Sequence, residues 1–412
     1  MLARFFSRRE ALAFAALLSF HLLLPVALAR WSVQIPDEDV YTGLAKNIAT
    51  LGRFVLDFGA FHHAAFTPYT YVAPGWPAWL ALGYLVGGVA GMWIMLGLAW
   101  CLALILAELL ARVLKLTRAA RWGLLGWLTT NPLLLYYHSH EMTEAMALAL
   151  GLGLVALGIA WLERPTWRTL LLLAIVSGLG RLTRSALVIP VAAIAIVAIA
   201  TVRPWSRLLR MGLVFVVVQT AVVAPWLVRM HEVGAGMTST ELKLGVNLFI
   251  YNNVHVDNPY NVRPDESFQE PAGLDDMTPA ARDKLLTRLG IEGIAQQPSK
   301  YIRNCARRVG YLLSPLPNFS ESGKLKAIAL ALTTLIYLYG FWAAFGIAEG
   351  LGAGLSRAEW VLLLSVVFWY AFHIAFHASV RQRIPSDPWI AALALAVWSR
   401  RYGVGPAKPI QE

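Results

Sequence analysis

Charged residues and cysteines are scarce in this sequence. Only 14% of its 412 residues are charged, whereas 58% are hydrophobic. A soluble domain needs more charge to cover its surface, so the composition excludes a single soluble core and indicates a membrane protein. The two cysteines, Cys101 in an apolar run and Cys305 in a polar segment, are expected to be separated by the membrane, which excludes a disulfide framework.

Several motifs of soluble enzymes are also missing. The sequence has no CxxC pair, no zinc-type spacing and no glycine-rich phosphate loop. No internal repeat is visible, so an inverted-repeat transporter finds no support. The net charge of +11 lies mainly in short loops between apolar runs. Membrane topology explains it there, and we expect no nucleic-acid partner.

Apolar runs of roughly 20 residues, the length that one helix needs to cross a bilayer, recur along most of the chain. We therefore predict an all-α polytopic membrane protein with about ten spans in a single domain, 1–412. The predicted spans are 11–29, 92–114, 122–137, 142–162, 169–183, 185–201, 208–228, 325–347, 358–376 and 387–399.

The apolar segment 75–90 decides the topology. If it crosses, the three basic loops after the second, fourth and sixth predicted spans fall outside. If it is a re-entrant or surface helix, all three fall inside together with both chain ends, as the positive-inside rule prefers. We predict a non-crossing 75–90, both termini in the cytoplasm of a bacterium, and two outer loops, 30–91 and 229–323.

An acidic cluster, Asp37-Glu38-Asp39, follows Pro36 just outside the first span, and Tyr41 comes two residues later. Carboxylates that repel one another beside lipid have raised pKa values, which suits a general base or a metal ligand. The cluster is equally well placed to cap the helix that follows, since acids favour helix N-termini. The charge pattern alone leaves both interpretations open.

Several other charged residues are predicted on the same outer side. Arg184 lies between two apolar runs with hardly any loop around it, where an arginine needs a partner or a cavity. Arg381 and Arg383 precede the last span and depart from the positive-inside trend, so an anionic partner or the outer headgroups would hold them. Glu144, at the head of a span, is expected to turn toward Asp37.

Three further features have ordinary structural explanations. His138 and His140 alternate at the head of the span that begins near 142, and a polar helix entry explains them better than a metal site. His62-His63 is equally ambiguous. Residues 299–313 predict an amphipathic helix whose face of Arg303, Arg307 and Arg308 would lie on lipid headgroups.

An outer cavity with carboxylates and arginines fits displacement of a phosphate leaving group from an amphipathic donor. A carboxylate can deprotonate an attacking hydroxyl, and positive charges can stabilise the departing phosphate. A transporter or flippase of lipid-linked saccharides would also use intramembrane arginines. An O-antigen ligase or polymerase-like enzyme would use a pyrophosphate-linked donor. We keep both as alternatives.

The residues also carry a resemblance. Pro36-Asp37-Glu38-x-x-Tyr41 after a first span resembles the first-loop motif of GT-C glycosyltransferases, especially bacterial members similar to protein O-mannosyltransferases and the lipid A aminoarabinose transferase. Further matching segments are Tyr71 to Pro77, Asn131 to Tyr137 with Glu144-Ala145, Gly180 to Arg184, Pro225 to Arg229, Gly245 to Leu248 with Asn252-Asn253, and Arg381 to Pro385. They keep the family's order over nearly the whole chain.

The resemblance implies a GT-C fold with juxtamembrane helices in the first outer loop. It implies an inverting enzyme, a hexosyl- or pentosyltransferase, that moves sugar from a polyprenyl-phosphate donor to a glycan, lipid or protein acceptor among the membrane lipids. Asp37 corresponds to the catalytic base and Arg184 to the basic residue near the donor phosphate.

Other roles follow from the same resemblance. Arg381 and Arg383 are further candidates for the donor phosphate, while Glu38, Asp39, Tyr41 and Glu144 are supporting residues for the acceptor or a metal. No cofactor is required, although the acidic cluster would tolerate a divalent cation. In one respect the chain departs from the aminoarabinose transferase: Ala73 stands where that enzyme has a lysine, so a phosphate clamp has to come from elsewhere.

Overall fold

A computed structural model describes residues 7–29, 36–56, 68–252, 271, 273–274, 276–313, 339–340 and 342–402. This part of the chain is helical, and its only β-type pairing is an isolated bridge between Val55 and Pro68. The helices are α1 (Arg8–Leu28), α2 (Pro36–Leu51), α3 (Gly75–Val113), α4 (Arg118–Thr130), α5 (Pro132–Tyr137), α6 (Glu144–Glu163), α7 (Trp167–Thr183), α8 (Val188–Thr201), α9 (Trp205–Glu232), α10 (Leu244–Asn252), α11 (Pro279–Gln296), α12 (Pro298–Leu313), α13 (Arg357–Phe376) and α14 (Asp387–Tyr402).

The number of spans differs from the prediction. Five helices, α1, α3, α6, α9 and α13, are long and apolar enough to cross a membrane by themselves. Others are shorter, and α7, α8 and α14 have 17, 14 and 16 residues. Most of the predicted span 325–347 lies outside the described residues. The chain is thus a multi-pass membrane protein, but a count of ten spans is not confirmed.

A proline divides the predicted span 122–137 into α4 and α5. Pro132 has no N–H and therefore cannot continue a helix, but it is well suited to begin one. Asn131 caps the new helix, because its Oδ1 accepts the N–H groups of Leu133 and Leu134 at 2.9 and 3.3 Å.

The segment 75–90 is one arm of a helical hairpin within α3. Gly87 and Gly88 leave helical geometry, and Gly88 has a φ of 59°, which favours glycine. The indole N–H of Trp79 donates to the Met95 carbonyl at 2.8 Å, so the arms run antiparallel. At about 1.5 Å per residue, the short arm reaches about 18 Å, well below the ~30 Å of the hydrocarbon core. This length agrees with the predicted non-crossing segment.

The predicted basic loops lie together on one face of the molecule, which we call the basic face. Lys115 after α3 pairs with Glu163 at the end of α6, at 3.2 Å. Arg207 in α9 donates to the Pro165 carbonyl at 2.7 Å. The N-terminal end of α1 and the C-terminal end of α14 contact the same region, through the pair between Glu10 and Arg121 and the bond from Thr117 N to Ser399 Oγ. The charge argument therefore grouped these segments correctly.

Candidate functional site

The candidate site lies at the end of the helix bundle opposite the basic face, around the first turn of α2. This helix buries one side through Tyr41, Leu44 and Ala45, because apolar residues three and four apart share a helix face. Asp37 comes one turn before Tyr41 on the same side of the helix, and its side chain is still 43% exposed. The carboxylate is therefore anchored by a packed helix and still open to a ligand.

Arg381 joins two carboxylates at this site. Its Nη1 contacts Asp37 Oδ2, while its Nε lies 3.1 Å from Oε1 of Glu144, whose side chain is only 1% exposed. Arg184 approaches the same Glu144 oxygen at 3.5 Å. Glu144, at the N-terminus of α6, therefore holds both arginines. The guanidinium of Arg381 therefore contacts the buried carboxylate of Glu144 on one edge and the exposed carboxylate of Asp37 on the other.

The charges around Asp37 fix its protonation state. Burial acts to raise the pKa of Asp37, but Arg381 and Lys243 outweigh burial and lower this pKa to about 2. Burial also disfavours the charged form of Arg381, yet Glu144 and Asp37 together raise the pKa of its guanidinium. The pair is therefore a carboxylate and a guanidinium at every physiological pH.

Lys243 is a residue of this site that the sequence analysis did not identify. Burial lowers its pKa, but Tyr41, Glu241 and Asp37 outweigh burial, and the pKa of Lys243 is raised. Its amino group makes no hydrogen bond or ion pair within the part of the chain that the structure describes. A half-buried cation faces Asp37 with no direct partner there.

The backbone around Lys243 is held by several hydrogen bonds. Leu242 N–H donates to the Thr70 carbonyl at 2.8 Å, and Thr240 Oγ1 donates to the Arg181 carbonyl at 3.0 Å. Glu241 accepts the N–H of Ser185 at 3.1 Å. The lysine therefore belongs to a segment fixed both to the first outer loop and to the turn after α7. A charged residue in a polar loop gives no sequence signal for such a position.

Glu38 and Asp39 differ from their neighbour Asp37. Glu38 is buried and accepts the N–H of Glu141 at 2.8 Å, which ties α2 to the loop before α6. Burial and the charge of Glu38 raise the pKa of Glu141 to about 8. Asp39 lies in the first turn of α2, where an acid favours the helix N-terminus. The three acids thus have three different surroundings.

Arg383, a predicted phosphate ligand, points away from Asp37. Its Nε pairs with Asp387 at 2.9 Å, and its Nη1 donates to the Leu312 carbonyl at 3.0 Å. Both members of the pair are buried. The structure therefore brings Arg184 and Arg381 to the carboxylates and uses Arg383 to join α12 to the start of α14.

Arg308 contradicts the predicted surface role of its helix. Whereas Arg303 and Arg307 are exposed, Arg308 is fully buried. It donates to the Tyr251 carbonyl at 3.1 Å and to the carbonyls of Ile374 and Ala375 at 3.1 and 3.0 Å. The reason is that the last carbonyls of α13 have no helical partner and an arginine can satisfy several at once.

His377 comes just after the carbonyls of Ile374 and Ala375 that Arg308 binds. It is a second site residue that the sequence did not reveal. The His377 ring stacks on Tyr251 with centroids 4.4 Å apart, and Gln382 Nε2 lies 3.3 Å from its Nδ1. Burial and the charge of Arg381 lower the pKa of His377 well below its usual range. A neutral imidazole therefore connects the large outer loop to the turn that carries Arg381.

The histidines of the 138–140 stretch are packed rather than grouped as ligands. His138 stacks on Trp100 with centroids 3.9 Å apart, and its Nε2 lies 2.7 Å from His21 Nδ1. His140 contacts the Tyr136 carbonyl through Nδ1 at 3.0 Å. Within the described residues, no group of three or more side chains could hold a metal ion. His62-His63 lies outside them.

Comparisons with known proteins give similarity in fold. No protein-family model matches the chain, and neither does any curated protein. Solved structures do match. The oligosaccharyltransferase AglB from Archaeoglobus fulgidus, solved with an inhibitory peptide and a dolichol-phosphate, has a TM-score of 0.51 at 13% identity over 95% of this chain. Its apo form gives 0.53 at 12% identity over 94%.

The chain spans 50% of the length of each AglB structure. ArnT from Cupriavidus metallidurans, solved with undecaprenyl phosphate, aligns over 92% of this chain and 78% of its own, with a TM-score of 0.47 and 15% identity. The AglB matches cover nearly all of the present chain. The chain therefore has the fold of these oligosaccharyltransferase structures, in agreement with the GT-C fold predicted from the sequence.

Proposed function

We propose that the protein is an inverting glycosyltransferase that uses a polyprenyl-phosphate-linked sugar. The observation that carries the proposal is the bridge made by Arg381 between the buried Glu144 and the open Asp37. A phosphate needs a guanidinium whose fork is accessible, and an attacking hydroxyl needs a nearby carboxylate. Both are present within one charge network.

The reaction is a single displacement at the anomeric carbon. The acceptor oxygen forms a bond to that carbon as its bond to the phosphate oxygen breaks, and the electron pair leaves with the polyprenyl phosphate. The proton of the acceptor hydroxyl passes to Asp37. Arg381, Arg184 and Lys243 stabilise the charge that develops on the leaving phosphate.

The two contacts of Arg381 indicate that donor binding comes before activation of Asp37. The edge on Glu144 is buried and stays in place, whereas the edge on Asp37 is open to exchange. A donor phosphate that takes this second edge releases Asp37 from its ion pair. Loss of the pair raises the pKa of the carboxylate, which makes it a stronger base. Donor binding would therefore activate the base that accepts the proton.

The comparisons support the donor class only in general terms. AglB was solved with a dolichol-phosphate, and its fold extends over nearly all of the present chain. Because this chain spans half of that protein, we carry over neither its acceptor nor its sugar. We further propose a bacterial inner-membrane location with the basic face in the cytoplasm and the site facing outward, since basic loops favour the inside.

The decisive experiment compares Asp37→Asn with Asp39→Asn in the purified full-length protein. The two changes are chemically identical and lie in the same helical turn, but only Asp37 pairs with Arg381. Each protein is incubated with a panel of polyprenyl-phosphate sugars and candidate acceptors, and transfer and donor hydrolysis are measured. We expect Asp37→Asn to lose at least about 100-fold in transfer and Asp39→Asn to keep it.

Equal transfer by Asp37→Asn and the parent would refute the mechanism. If the parent transfers no sugar and hydrolyses no donor, while reconstituted vesicles move lipid-linked saccharide across the bilayer, the protein is a transporter. Transfer from pyrophosphate-linked donors alone would identify a ligase-like enzyme.

A further inference from the structure

The basic face contains a cleft that the proposed reaction does not use. It has a volume of about 260 Å³ and is lined by Arg9, Glu10 and Ala13 of α1 and by Arg118 and Trp122 of α4. It lies at the opposite end of the bundle from Asp37. We propose that this cleft binds the headgroup of an anionic phospholipid.

The charges in the cleft favour an anion. Glu10 pairs with Arg118 and with Arg121, both at 3.0 Å, so its charge is already compensated. Arg9 is exposed and makes no ion pair within the described part of the chain. The side chain of Arg118 is 71% exposed and meets Glu10 only through Nε. Arg121 and Arg112 also share Glu108. Four arginines (Arg9, Arg112, Arg118 and Arg121) against two carboxylates (Glu10 and Glu108) leave an excess of two positive charges for a phosphodiester.

The backbone adds to this preference. Both helices that form the cleft begin there, α1 after Ser7 and α4 after Thr117. Helix N-termini carry partial positive charge, and two of them meet at this one cleft. The arginines supply the specific contacts, and the helix ends add to the local positive potential.

The surroundings fit a lipid better than a free anion. Trp122 lines the cleft, and tryptophan prefers the level of the headgroups because its ring is amphipathic. Deeper in the bundle, α1 presents Ala16 to the outside three residues after Ala13, and α4 carries Gly126, with open space beside it, four residues after Trp122. These spacings keep each pair on one helix face, and the small residues leave room for acyl chains below the headgroup.

The test measures lipid retention by native mass spectrometry in a neutral detergent. The full-length protein is offered phosphatidylglycerol or phosphatidylcholine with the same acyl chains. We expect phosphatidylglycerol to bind to the parent. The double variant Arg9→Gln/Arg118→Gln should bind it about tenfold or more weakly, because each basic residue near a membrane surface contributes measurably to anionic-lipid binding.

Three further variants separate the cleft from general charge. Arg164→Gln/Arg168→Gln removes two exposed arginines from the same face outside the cleft and should bind like the parent. Ala13→Phe fills the cleft without changing charge and should weaken binding. Arg381→Gln, at the other end of the molecule, should keep it.

The opposite results would overturn the inference. Equal loss in the Arg164/Arg168 control would show attraction to the whole face, and loss in Arg381→Gln would place the lipid at the catalytic end. The last comparison tests inorganic phosphate alone against phosphatidylglycerol. A stabilisation by phosphate in thermal melts that matches that by phosphatidylglycerol would show an anion site without lipid selectivity. Because no arm measures sugar transfer, the result is independent of the proposed function.

Discussion

The two ends of the helix bundle use the same arrangement of charges with different exposure. On the basic face, Arg121 is shared by Glu10 at 3.0 Å and Glu108 at 3.5 Å, and the side chains of these acids are only 12% and 6% exposed. At the candidate site, Arg381 is shared by Glu144 and Asp37, and the side chain of Asp37 is 43% exposed. An arginine enclosed by two buried acids holds helices together, whereas an arginine with one exposed acid can exchange that acid for a ligand.

The largest effect is expected from Arg381→Gln, which removes the arginine that Asp37 and Glu144 share at the candidate site. Its loss removes the charge that faces the leaving phosphate, and removing one such donor typically costs about 100- to 1000-fold in kcat. Initial rates with a polyprenyl-phosphate sugar provide the measurement. Arg303→Gln, an exposed arginine on α12, is the control and should retain the parent rate. A loss of less than threefold in Arg381→Gln would contradict the assignment.

A second effect concerns the pH dependence of the same variant. In the parent, Arg381 and Lys243 hold the pKa of Asp37 at about 2, so kcat/KM should show no acid limb from this carboxylate above about pH 4. Without Arg381, one charge that lowers the pKa of Asp37 is gone, while burial still raises it. The acid limb of the kcat/KM profile should therefore move to higher pH. Profiles of residual kcat/KM against pH test this shift. An unchanged limb in Arg381→Gln would show that the carboxylate is not controlled by this pair.

A smaller effect is expected from Lys243→Gln. This lysine faces Asp37 without an ion pair to any described residue, so it is available to the donor phosphate. We expect KM for the donor to rise about tenfold, with a smaller change in kcat. Lys46→Gln, an exposed lysine further along α2, is the matched control. Equal KM values for the Lys243 variant and the parent would exclude Lys243 from donor binding.

The smallest catalytic effect is expected on the basic face. Glu108→Gln leaves Arg112 and Arg121 without their shared anion, which should lower stability by roughly 1–3 kcal/mol. Transfer per folded molecule should stay within about twofold of the parent, because the change lies at the far end of the bundle. Thermal melts and active-site-normalised rates measure the two quantities. A large loss of rate in folded Glu108→Gln would remove the distinction between the two ends.

The sequence predicted the helical class and the grouping of the basic loops, and its non-crossing segment 75–90 agrees with the short arm before Gly87. These follow from run length and loop charge, which the bilayer constrains directly. It also predicted that Asp37, Arg184, Arg381 and Glu144 lie on one side, and the structure brings them into one network. Their roles in catalysis stay predictions until the variants are measured.

The orientation of individual arginines was harder to predict. Arg383 and Arg381 are two residues apart, yet only Arg381 reaches Asp37. One signal was available: Asp387 follows Arg383 at the i, i+4 spacing of a helical ion pair. Arg308 had no such signal, because the carbonyls that it binds belong to segments 57 to 67 residues away. Long-range partners of this kind are not encoded in local patterns.

The hairpin in α3 sets the distance between the candidate site and an apolar tip. The tip is exposed, with Val86 92% exposed and Leu85 and Val89 also exposed, which is typical of a surface that meets lipid. Trp76, ten residues before Val86, donates to the Glu141 carbonyl beside Glu38. At 1.5 Å per residue the candidate site therefore lies about 15 Å from the tip. In the proposed reaction, a lipid-linked donor would reach this depth from the side, and the acceptor hydroxyl would come to it from the outer surface.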